Sequence, residues 1–426
     1  MNTLATRIAI TAVVIFHIIL ACFYSLNQNL NVNSEGYFML SEGVYNHYSK
    51  QTLDLTADSL KTVLVSSPMN LWENTIAPVI LLVILRLLAF FIIFKELAKL
   101  FSPSTMIWFS VLFLLSPWLM YSTALGADAY IQLGVAGYLV SVLKLTRSNQ
   151  PRSSTFLWTV LLAFSILWCL ALSPAWGVLL ITTVILWIKK TIHPNVSGLI
   201  TSLAVIAVIM IPYVHQLEIN EDSEIYVNHS YNYWGFGTVY VYPLFKGLIY
   251  WIRYGSAMFQ SEIVYKTGFS WLSDSETVQS YCSYAWRSIL IIAGLLSVII
   301  SLMANCLMIK EIKPLFFRNF SEDRQLSYLK IICTVMLASI VLFIAVSPYT
   351  LYSNTLSLCY VFALIPLLNL IEKFNSFDFR KHVPYIAILA VFFIIVNGLA
   401  LMESKDYSNE NNYMDRSNDI VSESFN

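Results

Sequence analysis

The chain has 426 residues and a formal net charge of zero, and 58% of its residues are hydrophobic while only 12% are charged. An average soluble domain carries about 25% charged residues, so this composition excludes a soluble enzyme and a nucleic-acid-binding domain. We expect an all-α polytopic membrane protein.

Apolar runs of about 20 residues, each long enough to cross a hydrocarbon core about 30 Å thick, recur along the sequence. The first follows Met1 to Arg7 without an Ala-x-Ala cleavage site, so it is predicted to be an uncleaved anchor. We expect about eleven transmembrane helices in a single domain over residues 1–402, followed by a polar, disordered tail over 403–426. The predicted spans are 8–25, 75–94, 104–120, 126–143, 155–172, 175–188, 197–214, 287–309, 328–347, 354–371 and 384–402.

The basic residues predict the orientation, because Lys and Arg near span ends are retained on the cytoplasmic side. With the N-terminus inside, 16 of the 25 Lys and Arg residues fall in inner segments, eight fall in outer segments, and Arg86 lies within the second span. Most acidic residues fall in the outer segments. We therefore expect the functional face on the extracytoplasmic side.

Two outer segments are long, 26–74 and 215–286, and loops of this length in an economical membrane chain are usually functional. The first opens on the acidic, aromatic stretch 33–38. In the second, Lys246 and Arg253 are seven positions apart and so share one face of a predicted helix. The pattern is typical of a helix lying in the membrane interface, and the alternative is a short reentrant or buried helix.

Three short outer hairpins carry a Ser-Pro pair, at residues 116–117, 173–174 and 347–348. Ser is a good N-cap and Pro a good first helical residue, so each pair predicts the start of a helix at the outer face. A helix start favours a bound anion such as phosphate, and plain hairpin punctuation is the alternative.

Other polar residues within the spans predict structure rather than chemistry. Arg86 lies about eight residues from the inner end of its span, so we expect it to snorkel or to hydrogen-bond a neighbouring helix rather than bind an outer phosphate. Five of the six cysteines fall in or at the ends of spans and only Cys282 lies in an outer loop, so no structural disulfide is expected.

The order of several motifs resembles the N-terminal half of the GT-C superfamily of integral-membrane glycosyltransferases. These motifs are Glu35 in the first outer loop, Leu85-Arg86-Leu87-Leu88 in the second span, and the stretch 114–122 leading to Ala127-Asp128-Ala129. The late stretch 359–366 is similar to an Arg-Tyr…Pro stretch of such enzymes, with Cys359 in place of the Arg. The resemblance covers roughly residues 1–145, and the remainder matches by topology alone. The two outer loops also resemble those of O-antigen-modifying glucosyltransferases, which act on lipopolysaccharide.

The resemblance implies transfer of a sugar from a polyprenyl-phosphate donor to a cell-envelope glycan or lipid at the periplasmic face of a bacterial inner membrane. Such transfer needs a base for the acceptor proton, stabilisation of the departing phosphate and a surface for the sugar. The resemblance puts the base at Glu35 and a second acid at Asp128, which orients the acceptor or binds a divalent cation beside Glu35. We expect donor-phosphate contacts from Lys50, Lys61, Lys246 and Arg253, with Lys266 and Arg287 as further outer cations. Sugar and acceptor contacts are expected from Tyr37, His229, Tyr231, Asn232 and Trp234, although interfacial anchoring also accounts for these aromatic residues.

Two other functions remain open. A flippase or transporter of lipid-linked sugars usually shows inverted repeats or several polar groups near the membrane midplane, and the sequence indicates neither. An O-antigen or capsule polymerase also acts on polyprenyl-linked sugars, but its loops tend to be rich in Arg, and the second loop here holds only Arg253 and Arg287.

Overall fold

The computed structural model describes residues 3–26, 64, 68, 76–121, 127–147, 151–219, 241–256, 269, 272, 275–316, 324–346, 354–375 and 379–410. No β-strand occurs among them. The α-helices are α1 Thr3–Leu26, α2 Ile76–Leu97, α3 Pro103–Leu114, α4 Pro117–Tyr121, α5 Gln132–Leu145, α6 Arg152–Leu172, α7 Gly177–Ile188, α8 Val196–Ile219, α9 Val241–Gly255, α10 Glu276–Phe316, α11 Arg324–Val346, α12 Tyr360–Asn375 and α13 Phe379–Glu410. Three short 3₁₀ segments join them: η1 Ala127–Tyr130, η2 Pro174–Trp176 and η3 Asn354–Cys359.

A helix lies in each of the predicted spans, so the prediction of a helical membrane protein is confirmed. Within the described residues, six helical segments have the length and apolar composition needed to cross a membrane. Four further apolar helices are shorter. Helix α13 extends to Glu410, into the first residues of the predicted tail, and residues 411–426 lie outside the described part.

The outer surface of the bundle is apolar. Side chains on α8 and α10 such as Ile200, Leu203, Ile292 and Leu295 are each about 60% exposed or more. Apolar side chains in this number are stable on a surface that meets hydrocarbon rather than water. The described helices therefore form a bundle suited to a lipid bilayer.

Helix breaks follow from the Ser-Pro pairs. The Ser116 Oγ accepts a hydrogen bond from the Trp118 N–H at 3.2 Å, and the Ser173 Oγ accepts one from the Ala175 N–H at 3.2 Å. The predicted N-cap role is thus confirmed at two pairs, while Ser347 lies outside the described residues. These breaks divide long apolar runs into shorter helices.

Helix α3 forms the centre of the bundle and is held at both ends by α12. At its start, the Glu372 carboxylate accepts hydrogen bonds from the Ser102 N–H at 3.1 Å and the Ser102 hydroxyl at 2.9 Å. At its end, the Tyr360 hydroxyl donates to the Leu112 carbonyl at 2.6 Å. The negative charge at the N-terminus of α3 is favourable for the helix dipole. The two helices therefore run antiparallel with their ends fixed to each other.

Ion pairs lie at helix ends that the sequence predicts to be cytoplasmic. Glu96 at the end of α2 pairs with Lys99 at 2.6 Å and with Lys144 of α5 at 3.1 Å. Glu311 of α10 accepts a hydrogen bond from Lys330 of α11 at 2.7 Å and also pairs with Lys373 of α12. Each cluster connects the ends of neighbouring helices that are predicted to lie on the inner side.

Candidate functional site

Most residues that the sequence predicts for the site lie outside the described part of the chain. These residues are Glu35, Tyr37, Lys50, Lys61, His229, Tyr231, Asn232 and Trp234. The structure does place Lys246 and Arg253 on α9 and the backbone of Asp128 in η1. The geometry around η1 and α9 is therefore what bears on function.

Helix α9 carries two of the four predicted phosphate-binding cations, Lys246 and Arg253. Lys246 and Arg253 lie on the same face, as predicted, and both are half-buried. The Lys246 Nζ lies 5.7 Å from the centre of the Tyr250 ring, close enough for a cation–π interaction. Lys246 and Arg253 therefore lie beside the face of α9 that packs into the bundle.

One face of α9 packs into the bundle, while Phe245 and Ile249 elsewhere on the helix are exposed. The interfacial position of α9 stays a prediction. Trp251 is fully buried, and its indole Nε1 donates to the Asn305 Oδ1 of α10 at 2.8 Å. A Cβ on Gly255 would lie only 2.8 Å from the Ala363 carbonyl oxygen of α12. The close approach depends on glycine, so α9 is fitted between α10, α11 and α12.

The acid-bearing segment η1 is held from two sides. The Trp168 Nε1 of α6 donates to the Tyr130 carbonyl at 3.1 Å. The Trp168 ring packs closely against Gly134 of α5. A Cβ at Gly134 would lie only 2.7 Å from the Trp168 Cδ1 atom. On the other side, Leu82 of α2 packs in one buried cluster with Ala129 and Tyr130. The backbone of Asp128 is consequently fixed beside α2.

Arg86 lies on the same part of α2 and is only 1% exposed. This burial rules out snorkelling to a surface, one of the two alternatives that the sequence left open. Arg86 is close enough to Tyr130 of η1 and to His17 of α1 to interact with both electrostatically. Arg86 thus lies beside η1 along α2, and the expectation that it does not bind an outer phosphate stays a prediction.

Polar side chains from three other helices contact the last turn of α3 and the break that follows it. The final carbonyl groups of a helix lack partners within the helix. The His17 Nδ1 donates to the Leu114 carbonyl at 2.8 Å, and the Asn397 Nδ2 of α13 donates to the Leu115 carbonyl at 3.0 Å. Together with Tyr360, these donors satisfy backbone groups that would be costly to leave unpaired in an apolar interior.

The three 3₁₀ segments lie next to one another, since η3 contacts both η1 and η2. The Gln132 Nε2 at the start of α5 donates to the Ser357 carbonyl of η3 at 3.3 Å. Within the described part of the chain, the Gln132 Oε1 and the Ser357 Oγ have no hydrogen-bond partner, although both are buried. Such atoms suit a water molecule or a ligand hydroxyl group.

Sequence reasoning gave no role to His17, Gln132 and Asn397, and it named Tyr360 only as part of the stretch 359–366. The sequence did contain a signal for these residues. Polar residues inside apolar spans are energetically costly and usually have a partner or a function. The structure shows that three of them bind backbone carbonyls near α3.

The described side chains do not form a metal centre, since no three His, Cys, Asp or Glu residues among them lie close enough to hold one ion. The six cysteines are free thiols. Comparison of the chain with family models, with curated proteins and with solved structures finds no match.

Proposed function

We propose that this protein is a GT-C-like membrane glycosyltransferase with about eleven membrane crossings. It moves a sugar from a polyprenyl-phosphate donor to a cell-envelope glycan or lipid at the periplasmic face of a bacterial inner membrane. Glu35 removes the acceptor proton and Asp128 orients the acceptor, with or without a divalent cation. Lys246 and Arg253, with Lys50 and Lys61, bind the donor phosphate.

The observation that carries this proposal is the position of η1. This acid-bearing segment packs against the Arg86 region of α2, in the layer where α3, α5, α7 and α12 begin or end. From Glu96 at the predicted inner end of α2, Arg86 is ten residues, or about 15 Å, along the helix. The layer thus lies about halfway along α2 from the inner ion pairs, and the proposal has a lipid-linked sugar phosphate reach it from the predicted outer face.

The sequence alone did not indicate several polar groups near the membrane midplane. The buried polar groups in the structure therefore require the transporter alternative to be considered again. His17, Tyr360 and Asn397 donate to backbone carbonyls of residues 112–115, so they stabilise a helix break. A transport route needs polar groups that face a passage. Their contacts therefore favour a fixed bundle that supports a site over a bundle that rocks around one.

The experiment compares sugar transfer in membranes that contain equal amounts of each variant. Glu35→Gln keeps size and hydrogen bonding but cannot take a proton, so transfer from a polyprenyl-phosphate hexose should fall by roughly 10²–10⁴-fold. Asp128→Asn should also lose activity. The matched control is Asp419→Asn, the same chemical change in the C-terminal segment, which should leave transfer unchanged.

Each result has a defined meaning. Near-normal transfer by Glu35→Gln would remove it as the base and direct the search to Glu42, Asp54, Asp58 and Glu73 of the same loop. If all five first-loop acids proved dispensable, the transferase proposal would give way to transport. Addition of many sugars rather than one to the acceptor, seen by mass spectrometry, would instead indicate a polymerase.

A further inference from the structure

Basic residues converge where α5 and α7 end and α6 and α8 begin, on the predicted inner side. Between Asp128 and Glu218 the sequence contains no acidic residue. Every Lys and Arg of that stretch falls in one of two turns, at Lys144, Arg147, Arg152, Lys189 and Lys190. The His193 N–H donates to the Leu145 carbonyl at 3.0 Å, and the Asn195 Nδ2 donates to the Arg152 carbonyl at 3.4 Å. The two turns are therefore held side by side.

Most of these charges are not cancelled by carboxylates. Lys144 is the exception, because it pairs with Glu96 at 3.1 Å. Arg147 is exposed and lies beside the neutral side-chain amide of Gln325. The other exposed cations are Arg152, Lys189 and Lys190. No carboxylate among the described residues forms an ion pair with these three, and together with Arg147 they form a basic surface.

Lys190 occupies a backbone conformation that usually selects glycine. Its N–H donates to the Trp187 carbonyl at 2.9 Å and the Thr191 N–H donates to the Leu186 carbonyl at 2.9 Å, which is the Schellman ending of a helix. In the described part of the chain, Lys190 is the one residue other than glycine with a positive φ, 53°. A Cβ makes this left-handed region unfavourable. The local backbone therefore does not account for a lysine at this position.

Arg152 is also placed against its local preference. It is the first residue of α6, where the partial positive charge of the helix N-terminus disfavours a cation. The C-terminal end of α7 does favour a cation, which accounts for Lys189 and for the charge, but not the backbone, of Lys190. A bound anion accounts for both unusual placements, because it pairs with the two side chains and is itself favoured at the start of α6.

Apolar side chains border the basic surface on the side of the membrane. Ile188, directly before Lys189, is 72% exposed, and Val196, at the start of α8, is 63% exposed. Trp187 is exposed beside them, and Trp is favoured at the depth of lipid headgroups. A lipid phosphate carries acyl chains that cover such side chains, whereas a free anion leaves them in water. The surroundings therefore favour a lipid as the source of the anion.

We infer that the basic surface binds the phosphate groups of anionic phospholipids in the inner leaflet. Basic residues at the cytoplasmic ends of membrane helices are attracted to such headgroups. Bound lipids then hold the ends of α5 to α8 at a fixed depth in the bilayer. The inference goes beyond the proposed sugar transfer and does not depend on it.

Lipid binding is measured by native mass spectrometry on the purified full-length protein in a neutral detergent, with phosphatidylglycerol and phosphatidylcholine as probes. The unsubstituted protein should bind phosphatidylglycerol more tightly, and equal binding of the two lipids would overturn the inference. Arg152→Gln combined with Lys190→Gln should lower the apparent affinity for phosphatidylglycerol by roughly 10–30-fold, because each cation near the headgroups is worth about fivefold. Lys405→Gln combined with Arg416→Gln removes the same charge elsewhere and should leave that affinity unchanged. Equal affinities of the two double variants would also overturn the inference.

Two further measurements separate charge from folding and lipid from free anion. Lys190→Gly removes the charge and relieves the left-handed backbone, so its melting temperature in neutral detergent should equal or exceed that of the unsubstituted protein. Its affinity for phosphatidylglycerol should still fall about fivefold, and this variant decides the question if the double Gln variant does not accumulate. Unchanged affinity in Lys190→Gly would reject the surface. Soluble glycerol phosphate should not displace the lipid at equal concentration, and displacement would indicate a site for a free anion instead.

Discussion

Replacing Tyr360 with Phe tests whether side chains from other helices stabilise the end of α3. Tyr360 is fully buried, and its hydroxyl donates to the Leu112 carbonyl at 2.6 Å. The Phe ring would keep the packing of Tyr360 against Phe113 and Trp118, whose ring centres lie 5.8 and 4.7 Å away. The substitution therefore removes the hydroxyl and little else.

The expected loss can be bounded from two sides. Leaving a buried acceptor without its donor costs roughly 1–3 kcal/mol in soluble proteins. Side-chain hydrogen bonds between membrane helices average about 0.6 kcal/mol. Because this bond is short and lies in the bundle core, we expect the free energy of unfolding to fall by about 1–2 kcal/mol and the melting temperature by about 2–4 °C.

The assay is thermal unfolding of the purified protein in detergent micelles. Tyr385→Phe is the matched control, since Tyr385 on α13 is 61% exposed and the same hydroxyl is removed from a surface position. We expect the control to match the unsubstituted protein. A melting temperature for Tyr360→Phe equal to that of the control would refute the reasoning that this bond stabilises the end of α3.

Three further predictions concern packing, the donor and topology. Gly255→Ala places a Cβ 2.8 Å from the Ala363 carbonyl oxygen and should destabilise the protein by about 1–3 kcal/mol in thermal unfolding, whereas Gly398→Ala meets no atom within 4 Å and should not. Equal effects of the two would contradict the close approach of α9 to α12. Exchanging both Lys246 and Arg253 for Gln should raise the apparent KM for a polyprenyl-phosphate sugar, and an unchanged KM would show that α9 only anchors its loop. Reporter fusions after Gln150 and Asn319 should read cytoplasmic and fusions after Asp54 and Asp274 periplasmic, while a cytoplasmic signal at Asp54 would reject the outer site.

The sequence by itself determined the class of protein and the positions of its helices. Apolar runs near 20 residues are a local property, because every backbone polar group in hydrocarbon must be satisfied within its own helix. The Ser-Pro breaks are local too, since the cap at Ser116 and the cap at Ser173 each involve a residue two positions away.

Only the tertiary structure decided how the broken helices are held together and what surrounds η1. The donors to the α3 carbonyls come from positions 97, 248 and 282 residues away in the chain, and no local pattern links such residues. The burial of Arg86 on α2 and of Trp251 against α10 likewise depends on which helices become neighbours. In an apolar chain many helix pairings bury similar surface, so polar contacts and close glycine approaches select among them.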